Sequence, residues 1–410
     1  MTGAPVGIAG IGLVSPLGAS QAALAEAVFA GRSAVQAWCL DLPGVDRAML
    51  PVARCDFDDS RVRAPSRLPA DRGTAMALAA AMAAHAESGL QGVAVDPERV
   101  GVYWGSGMAG AQTFDATCQA LYGAQRRMRP TTVLTTMPNA AVAEIALLLG
   151  VQGPAIGHAC ACASSAVAIG EAVRAIRGGW VDVAIVGGHE AMLSPGVLAS
   201  WQAMRVLAPL PADGAGAASA CRPFSADRQG FAVGEGAAAL VLESESHARA
   251  RGVRHALAVT GYATNCDGSH ITNPDAAGQA RAMRAALRDA GLTPAEVGYV
   301  NAHGTGTQVG DVAEAASISA VFGAHGVPVS STKALHGHLL GAGGAVELAV
   351  ALQALVHGRL PATAHLDVPD AAFDLDFVRG AARDAAGLGH VMSNSFAFGG
   401  TNAVLVASKV

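Results

Sequence analysis

The chain has 410 residues, too many for one simple core, so two domains or one duplicated domain are expected. It is 51% hydrophobic and 14% charged with a net charge of −5, a balance that argues against a nucleic-acid-binding surface. The longest apolar stretches, 141–170 and 337–358, carry Glu144, Gln152, Pro154 and His158 in the first and Glu347 in the second, so neither reads as a membrane span and a large buried core is expected instead.

The first predicted strand, 6–11, belongs to an apolar run that stops at Ser15-Pro16 with no basic segment before it. No secretory signal is read there, and a cytoplasmic protein is expected. The seven cysteines include no CxxC pair, which fits free thiols in a reducing compartment. A helix over 75–88 and a strand over 100–104 follow, then a helix over 163–177 and strands over 181–186 and 238–242. The second part predicts helices over 277–290 and 343–357 and strands over 297–301 and 403–406. Alternating helices and strands indicate an α/β class, and short apolar strands with little alternation indicate sheets covered on both faces. The small-residue stretches 211–219 and 268–278 read as loops. Gly89-Leu90 to Val102 and Gly291-Leu292 to Tyr299 echo one another, each following an Ala-containing helix and each leading to a glycine-containing loop. The echo points to two similar halves, 1–250 and 251–410.

Four segments carry chemistry. In Gly157-His158-Ala159-Cys160-Ala161-Cys162-Ala163-Ser164-Ser165, a thiol stands at a helix start, where unpaired N–H groups and the helix dipole favour thiolate. Cys162 lies nearer the helix start than Cys160. His158, Cys160 and Cys162 have no second ligand pair, so no metal site is expected. In Asn301-Ala302-His303-Gly304-Thr305-Gly306-Thr307, a histidine ends a strand, the usual place for an α/β ligand site. In Lys333-Ala334-Leu335-His336-Gly337-His338, one of only two lysines in the chain precedes a histidine by five residues; the other is Lys409. In Phe396-Ala397-Phe398-Gly399-Gly400, tandem glycines free backbone N–H groups to face a ligand.

Together these segments resemble the elongating β-ketoacyl-[acyl-carrier-protein] synthases of the thiolase superfamily. The resemblance runs from Gly10-Ile11-Gly12 to Gly400-Thr401-Asn402 and includes Arg222-Pro223-Phe224 and Gly234-Glu235-Gly236. It implies a thiolase-like fold, with duplicated αβ halves forming a five-layer αβαβα sandwich. It implies Cys162 as nucleophile, His303 and His338 as the active-site histidines, Lys333 as the supporting lysine and Glu347 as its acidic companion. Phe398 matches the gating aromatic whose N–H completes an oxyanion hole with that of Cys162. Thr305 and Thr307 match phosphopantetheine contacts, with Met108, Phe396 and Gly399 as further substrate contacts. The sequence departs from the family pattern at Cys160, where threonine is common, and at His158, where an apolar residue is common.

The activity implied is decarboxylative condensation of an acyl group on Cys162 with malonyl-acyl carrier protein, in fatty-acid or polyketide and polyene elongation. No metal or redox cofactor is implied, because the leaving CO₂ drives the step, and the substrates are carried on the phosphopantetheine of an acyl carrier protein. The partners implied are that carrier and either a second copy or a chain-length-factor-like subunit. A net-negative enzyme must show an acidic carrier a basic patch, and Arg126, Arg127 and Arg129 form the candidate, with Arg63, Arg67 and Arg205 as additions. The competing readings are a non-catalytic chain-length factor, a thiolase or initiating synthase of the same fold, and a binding module with an incidental thiol. The first lacks the nucleophile, the second uses other residue sets, and an acyl-transfer assay with a Cys162→Ala control separates the third.

Overall fold

The structure, a computed structural model, describes residues 3–410; residues 1 and 2 of the first half lie outside the described residues. The first half runs β1 (Val6–Val14), α1 (Arg72–Glu87), β2 (Val100–Gly105), α2 (Ala140–Leu149), β3 (Ala155–His158), α3 (Ser164–Arg177), β4 (Val183–Glu190) and β5 (Gly236–Glu243). The second runs β6 (Leu257–Cys266), α4 (Ala276–Ala290), β7 (Tyr299–Asn301), α5 (Gln308–Phe322), β8 (Pro328–Ser330), α6 (Gly343–His357), β9 (His390–Phe396) and β10 (Thr401–Lys409).

The strand orders are β3-β2-β4-β5-β1 and β8-β7-β9-β10-β6. Directions repeat as well: the first three strands of each set are mutually parallel, and the last two each run antiparallel to their inner neighbour. The same strand order and the same strand directions thus recur in the two sets. The echoed sequence segments fall on equivalent places, the passages from α1 to β2 and from α4 to β7. The two sets meet where Val6 and Gly7 pair with Val259 and Ala258.

Strand alternation sorts the side chains into layers. On β2, Val102 and Trp104 join Met76 and Leu78 of α1 in one outer core, while Tyr103 joins α3 and α6 in the middle core. On β10, Val404 and Val406 face Met283 and Leu287 of α4, while Ala403 and Leu405 face the middle core. The sequence of layers is therefore α1/α2, sheet, α3/α6, sheet, α4/α5. Both strand faces are covered, which explains the apolar runs without alternation. The helical stretch Leu340–His357 is long and apolar enough to cross a membrane, but 89% of it is buried, so it is the central helix of this sandwich.

Elements that the sequence pattern left unassigned include α2, α5, β3, β6, β8, β9, the hairpin Val35–Leu42/Val45–Ala53 and the helices Gln21–Phe29, Ala111–Cys118 and Pro195–Ala203. The expected loop over 268–278 ends early, because Asp275 caps α4 by accepting from the Ala277 and Gly278 N–H groups.

Candidate active site

Cys162 sits in the 3₁₀ turn Ala161–Ala163 that leads directly into α3. Gly105 at the end of β2 lets this turn approach: a Cβ there would lie 2.3 Å from the Ser164 carbonyl carbon. Ala161 is left-handed at φ 47°, as is Leu340 at φ 45° two residues after His338. Such non-glycine conformations cost about 1–3 kcal/mol each and persist where packing fixes them. Two of them flank Cys162 and the histidine facing it.

His338 places Nε2 3.1 Å from the Cys162 sulfur. Its Nδ1 accepts from the Leu340 N–H at 3.3 Å, so the neutral ring carries its proton on Nε2. His303 stands across from it, ring centroids 5.3 Å apart and nearly perpendicular. Lys333 Nζ lies 3.4 Å from His303 Nδ1, and its other partner is the Glu347 carboxyl. An ammonium only donates, so His303 too carries its proton on Nε2. Burial, followed by the Lys333 charge, holds both imidazoles well below the usual range. They are neutral N–H donors. The main chain at His303 is fixed from behind by Glu314, which accepts from the N–H groups of His303 (2.8 Å) and Gly304 (2.6 Å) and from Asn394.

The expectation of a ready thiolate is corrected here. Burial pushes the Cys162 thiol up to about 12, against the opposing pull of Lys333 and of the Phe398 and Cys162 N–H groups. The helix start is present, but full desolvation outweighs it. Those two N–H groups nonetheless favour negative charge at the sulfur. The tandem glycines do not supply donors, contrary to expectation: Gly399 N–H goes to Ile271 O and Gly400 N–H to Ala397 O. Burial likewise raises the Glu347 carboxyl to about 7.

Cys162, His303 and His338 border a cavity of about 370 Å³ shared with Thr305, Thr307, Phe396 and Phe398. Thr307 caps α5, and its hydroxyl lies 2.9 Å from that of Thr305. The far rim is the 267–275 loop, in which His270 Nδ1 accepts from the Thr272 and Asn273 N–H groups, both at 3.1 Å. Of the six candidate docking arginines, only Arg205 borders this cavity; Arg63, Arg67, Arg126, Arg127 and Arg129 are exposed elsewhere. Met108 does not border it either. Its N–H goes to the buried Glu190, and the residue is 42% exposed.

Sequence reasoning missed Trp201, which stacks on Phe398 (6.5 Å, 22°) and meets Phe231 edge-on. Its one signal was that aromatic residues are scarce, at 4% of the chain. It also missed Glu190, whose carboxylate gathers the N–H groups of Gly107, Met108 and Gly341 and so ties the loop after β2 to the segment behind His338.

The donor atoms of Cys162, His303 and His338 lie within 4.8 Å of one another. The tautomers do not suit a metal. A metal needs a lone pair on the nitrogen facing the sulfur, whereas on His338 the Leu340 N–H holds the lone pair at Nδ1 and leaves a proton on Nε2.

The family description "Beta-ketoacyl synthase, N-terminal domain" matches residues 3–248, and the corresponding "C-terminal domain" matches residues 256–367. The chain is 42% identical over 343 residues to "Nodulation protein E" of Rhizobium leguminosarum bv. trifolii, covering 83% of each. It is 40% identical over 344 residues to "3-oxoacyl-[acyl-carrier-protein] synthase 2" of Staphylococcus aureus (strain COL), covering 83% of this chain and 82% of that one. A β-ketoacyl synthase structure from Burkholderia phymatum STM815 superposes with a TM-score of 0.88 at 33% identity, over 100% of both chains. The ishigamide ketosynthase/chain length factor gives 0.89 at 30% identity, again over 100% of both. A type II polyketide ketosynthase, in complex with its acyl-carrier protein and bound to the hexaketide, gives 0.90 at 26% identity over 100% of both.

Proposed function

The chain belongs to the β-ketoacyl synthase family, and we propose that Cys162, His303, His338 and Lys333 carry out its decarboxylative condensation. The observation that carries this assignment is the convergence of one thiol and two neutral imidazole N–H donors at the end of one cavity, with Sγ to Nε2 at 3.1 Å.

The reaction has two halves. In the first, the Cys162 sulfur attacks an acyl thioester, the carrier thiol leaves with the proton that Cys162 gives up, and the acyl group stays on the enzyme. The oxyanion formed in that step faces the N–H groups of Cys162 and Phe398. In the second, a malonyl thioester loses CO₂ and becomes an enolate whose oxygen receives the Nε2–H groups of His303 and His338. The enolate carbon attacks the acyl carbonyl, and the Cys162 sulfur leaves and is reprotonated. Lys333 holds His303 in the donating tautomer, and Glu347 holds Lys333. Neither half needs a redox or metal cofactor, since CO₂ leaves with the electron balance closed. Thr305 and Thr307 stand where a phosphopantetheine amide reaches them along the cavity, and Phe398 stands at the gate.

The substrates come on an acyl carrier protein, whose acidic surface suits Arg205 at the cavity mouth and the exposed Arg126, Arg127 and Arg129. The subunit partner is a second copy or a chain-length-factor-like chain. The face that supports this is the sheet edge at β3, where Ile156 is exposed along with Phe114, Val133, Leu134 and Leu147. Met108, outside the single-chain cavity, also lies on the exposed surface, and a partner seated there would enclose it. A cytoplasmic location fits seven free cysteines. The test is a coupled assay with acyl- and malonyl-carrier substrates: the wild type forms β-ketoacyl carrier and the Cys162→Ala variant does not. Product formation by that variant would overturn the assignment.

A further inference from the structure

Three histidines, not two, are buried around Lys333, and the third, His336, has no part in the chemistry above. Its Nδ1 lies 2.7 Å from the Gly337 carbonyl oxygen. A carbonyl only accepts, so Nδ1 carries the proton and donates it there. Its Nε2 lies 2.9 Å from Thr332 Oγ1 and must take that hydroxyl's proton. Both ring nitrogens are therefore spent on internal partners, and the ring touches neither the thiol nor the cavity. What matters is where the partners stand. Thr332 immediately precedes Lys333, and Gly337 immediately precedes His338. One imidazole thus ties the Thr332 hydroxyl, just ahead of the amine, to the backbone carbonyl just ahead of the ring that faces Cys162.

The rest of that turn holds little in reserve. Gly337 is left-handed at φ 71°, and a Cβ on it would meet Ala232 O and Ala53 Cβ, both at 3.1 Å. The other side of the Gly337–His338 peptide is held by the His338 N–H to Ala232 O at 2.7 Å, and beyond it the His338 carbonyl accepts from the Gly234 N–H at 2.9 Å and Nδ1 from the Leu340 N–H. We propose that His336 is a positioning residue for the condensation. By holding the Gly337 carbonyl, opposite the bond from the His338 N–H to Ala232 O, it completes the fixing of the Gly337–His338 peptide plane, and with it the direction in which His338 aims its Nε2–H. Burial lowers the His336 ring to about 3, so it stays neutral and keeps this hydrogen-bond pattern across the working pH range.

This role rests on the proposed function, and the test separates the two. Cys162 acylation and malonyl decarboxylation are measured side by side in His336→Leu, His336→Asn and the wild type. A misplacement of about 1 Å costs on the order of a hundredfold in rate. His336→Leu should therefore lower kcat for CO₂ release by about a hundredfold while KM for malonyl carrier and the acylation rate change by less than about fivefold. His336→Asn, which restores a donor near the Nδ1 position, should recover to within about tenfold of the wild type. A purely structural histidine would lower both half-reactions in the same proportion, and an unchanged decarboxylation-to-acylation ratio in folded His336→Leu overturns the proposal. So does a His336→Asn variant no better than leucine. Should the leucine variant not fold, Thr332→Val removes only the hydroxyl and should still reduce decarboxylation several-fold relative to acylation; an unchanged ratio there overturns it as well. A wild type that fails to acylate Cys162 at all would instead refute the underlying function.

Discussion

The Leu340 N–H, 3.3 Å from His338 Nδ1, fixes which face of that imidazole carries the proton, and the protonated face is the one 3.1 Å from the Cys162 sulfur. His338 is in this way a donor at rest and not a waiting base.

Cys162 is expected to be alkylated by iodoacetamide slowly at neutral pH, because burial pushes its thiol up to about 12 and only the thiolate reacts. Raising the pH through 9 should keep increasing the rate of labelling at this residue. Cys162→Ala and Cys162→Ser should lose acyl-enzyme formation, whereas Cys160→Ala should retain it. Peptide mapping by mass spectrometry reads both, and acyl-enzyme formation that survives in Cys162→Ala, or is lost in Cys160→Ala, would remove Cys162 from its role.

His303→Ala and His338→Ala should retain some acyl transfer and lose malonyl decarboxylation by on the order of a hundredfold or more, as for one oxyanion donor. Both rings are held well below their usual range, chiefly by burial. Each is thus already uncharged through pH 6–8 and charges only at more acid pH, so decarboxylation should show no histidine-type limb in that window. A wild-type rate of CO₂ release in either variant counts decisively against the donor role.

Lys333 and Glu347 form a buried pair. Removing one partner leaves the other uncompensated, at a cost of about 3–5 kcal/mol, whereas replacing both by apolar groups is often near neutral. Glu347→Leu alone should therefore unfold at markedly lower denaturant than the wild type, and the double variant Lys333→Met/Glu347→Leu should regain stability without regaining activity. Lys333→Arg should be impaired as well, since a guanidinium fork does not fit an ammonium's place. Activity returning with stability in the double variant would assign the pair to the fold alone.

Much of this site is legible in the sequence because each chemical group stands in a local pattern of small residues. Cys162 precedes a helix, His303 ends a strand, and Lys333 and His338 share one short segment. The repeat shows through the Gly-Leu signal that follows α1 and α4 and the Pro-x-x-Val-Gly signal leading into the next strand in each half. Strand β9 was hidden because Ser393, Asn394 and Ser395 are polar yet fully buried, and β3 because it is four residues long at an exposed edge. The thiol's protonation was misjudged because the dipole is a local property, whereas desolvation comes from residues far away in the chain. The tandem glycines looked like free donors because their acceptors, Ile271 and Ala397, are set by a loop packing that no local pattern encodes. The contact of Trp201 with Phe398 joins the two halves and has no local signature at all.

Reversing charge with Arg126→Glu and Arg127→Glu should raise KM for carrier-bound substrates by roughly tenfold to a hundredfold. Exposed pairs contribute only about 0.2–1 kcal/mol each, and repulsion adds to their loss. Added salt should weaken the wild type more than the variant. Turnover of a short pantetheine thioester, which bypasses docking, should hardly change; equal losses on both substrates would place these arginines in the support of the fold.

The most direct test is a single turnover followed by intact mass and peptide mapping. Wild-type enzyme is loaded from an acyl carrier, freed of excess, and given malonyl carrier. The account predicts one acyl group on the Cys162 peptide, which then disappears as one equivalent each of CO₂ and β-ketoacyl carrier forms. An acyl group on another residue, or β-ketoacyl product formed with no acyl-Cys162 passing through, would contradict it.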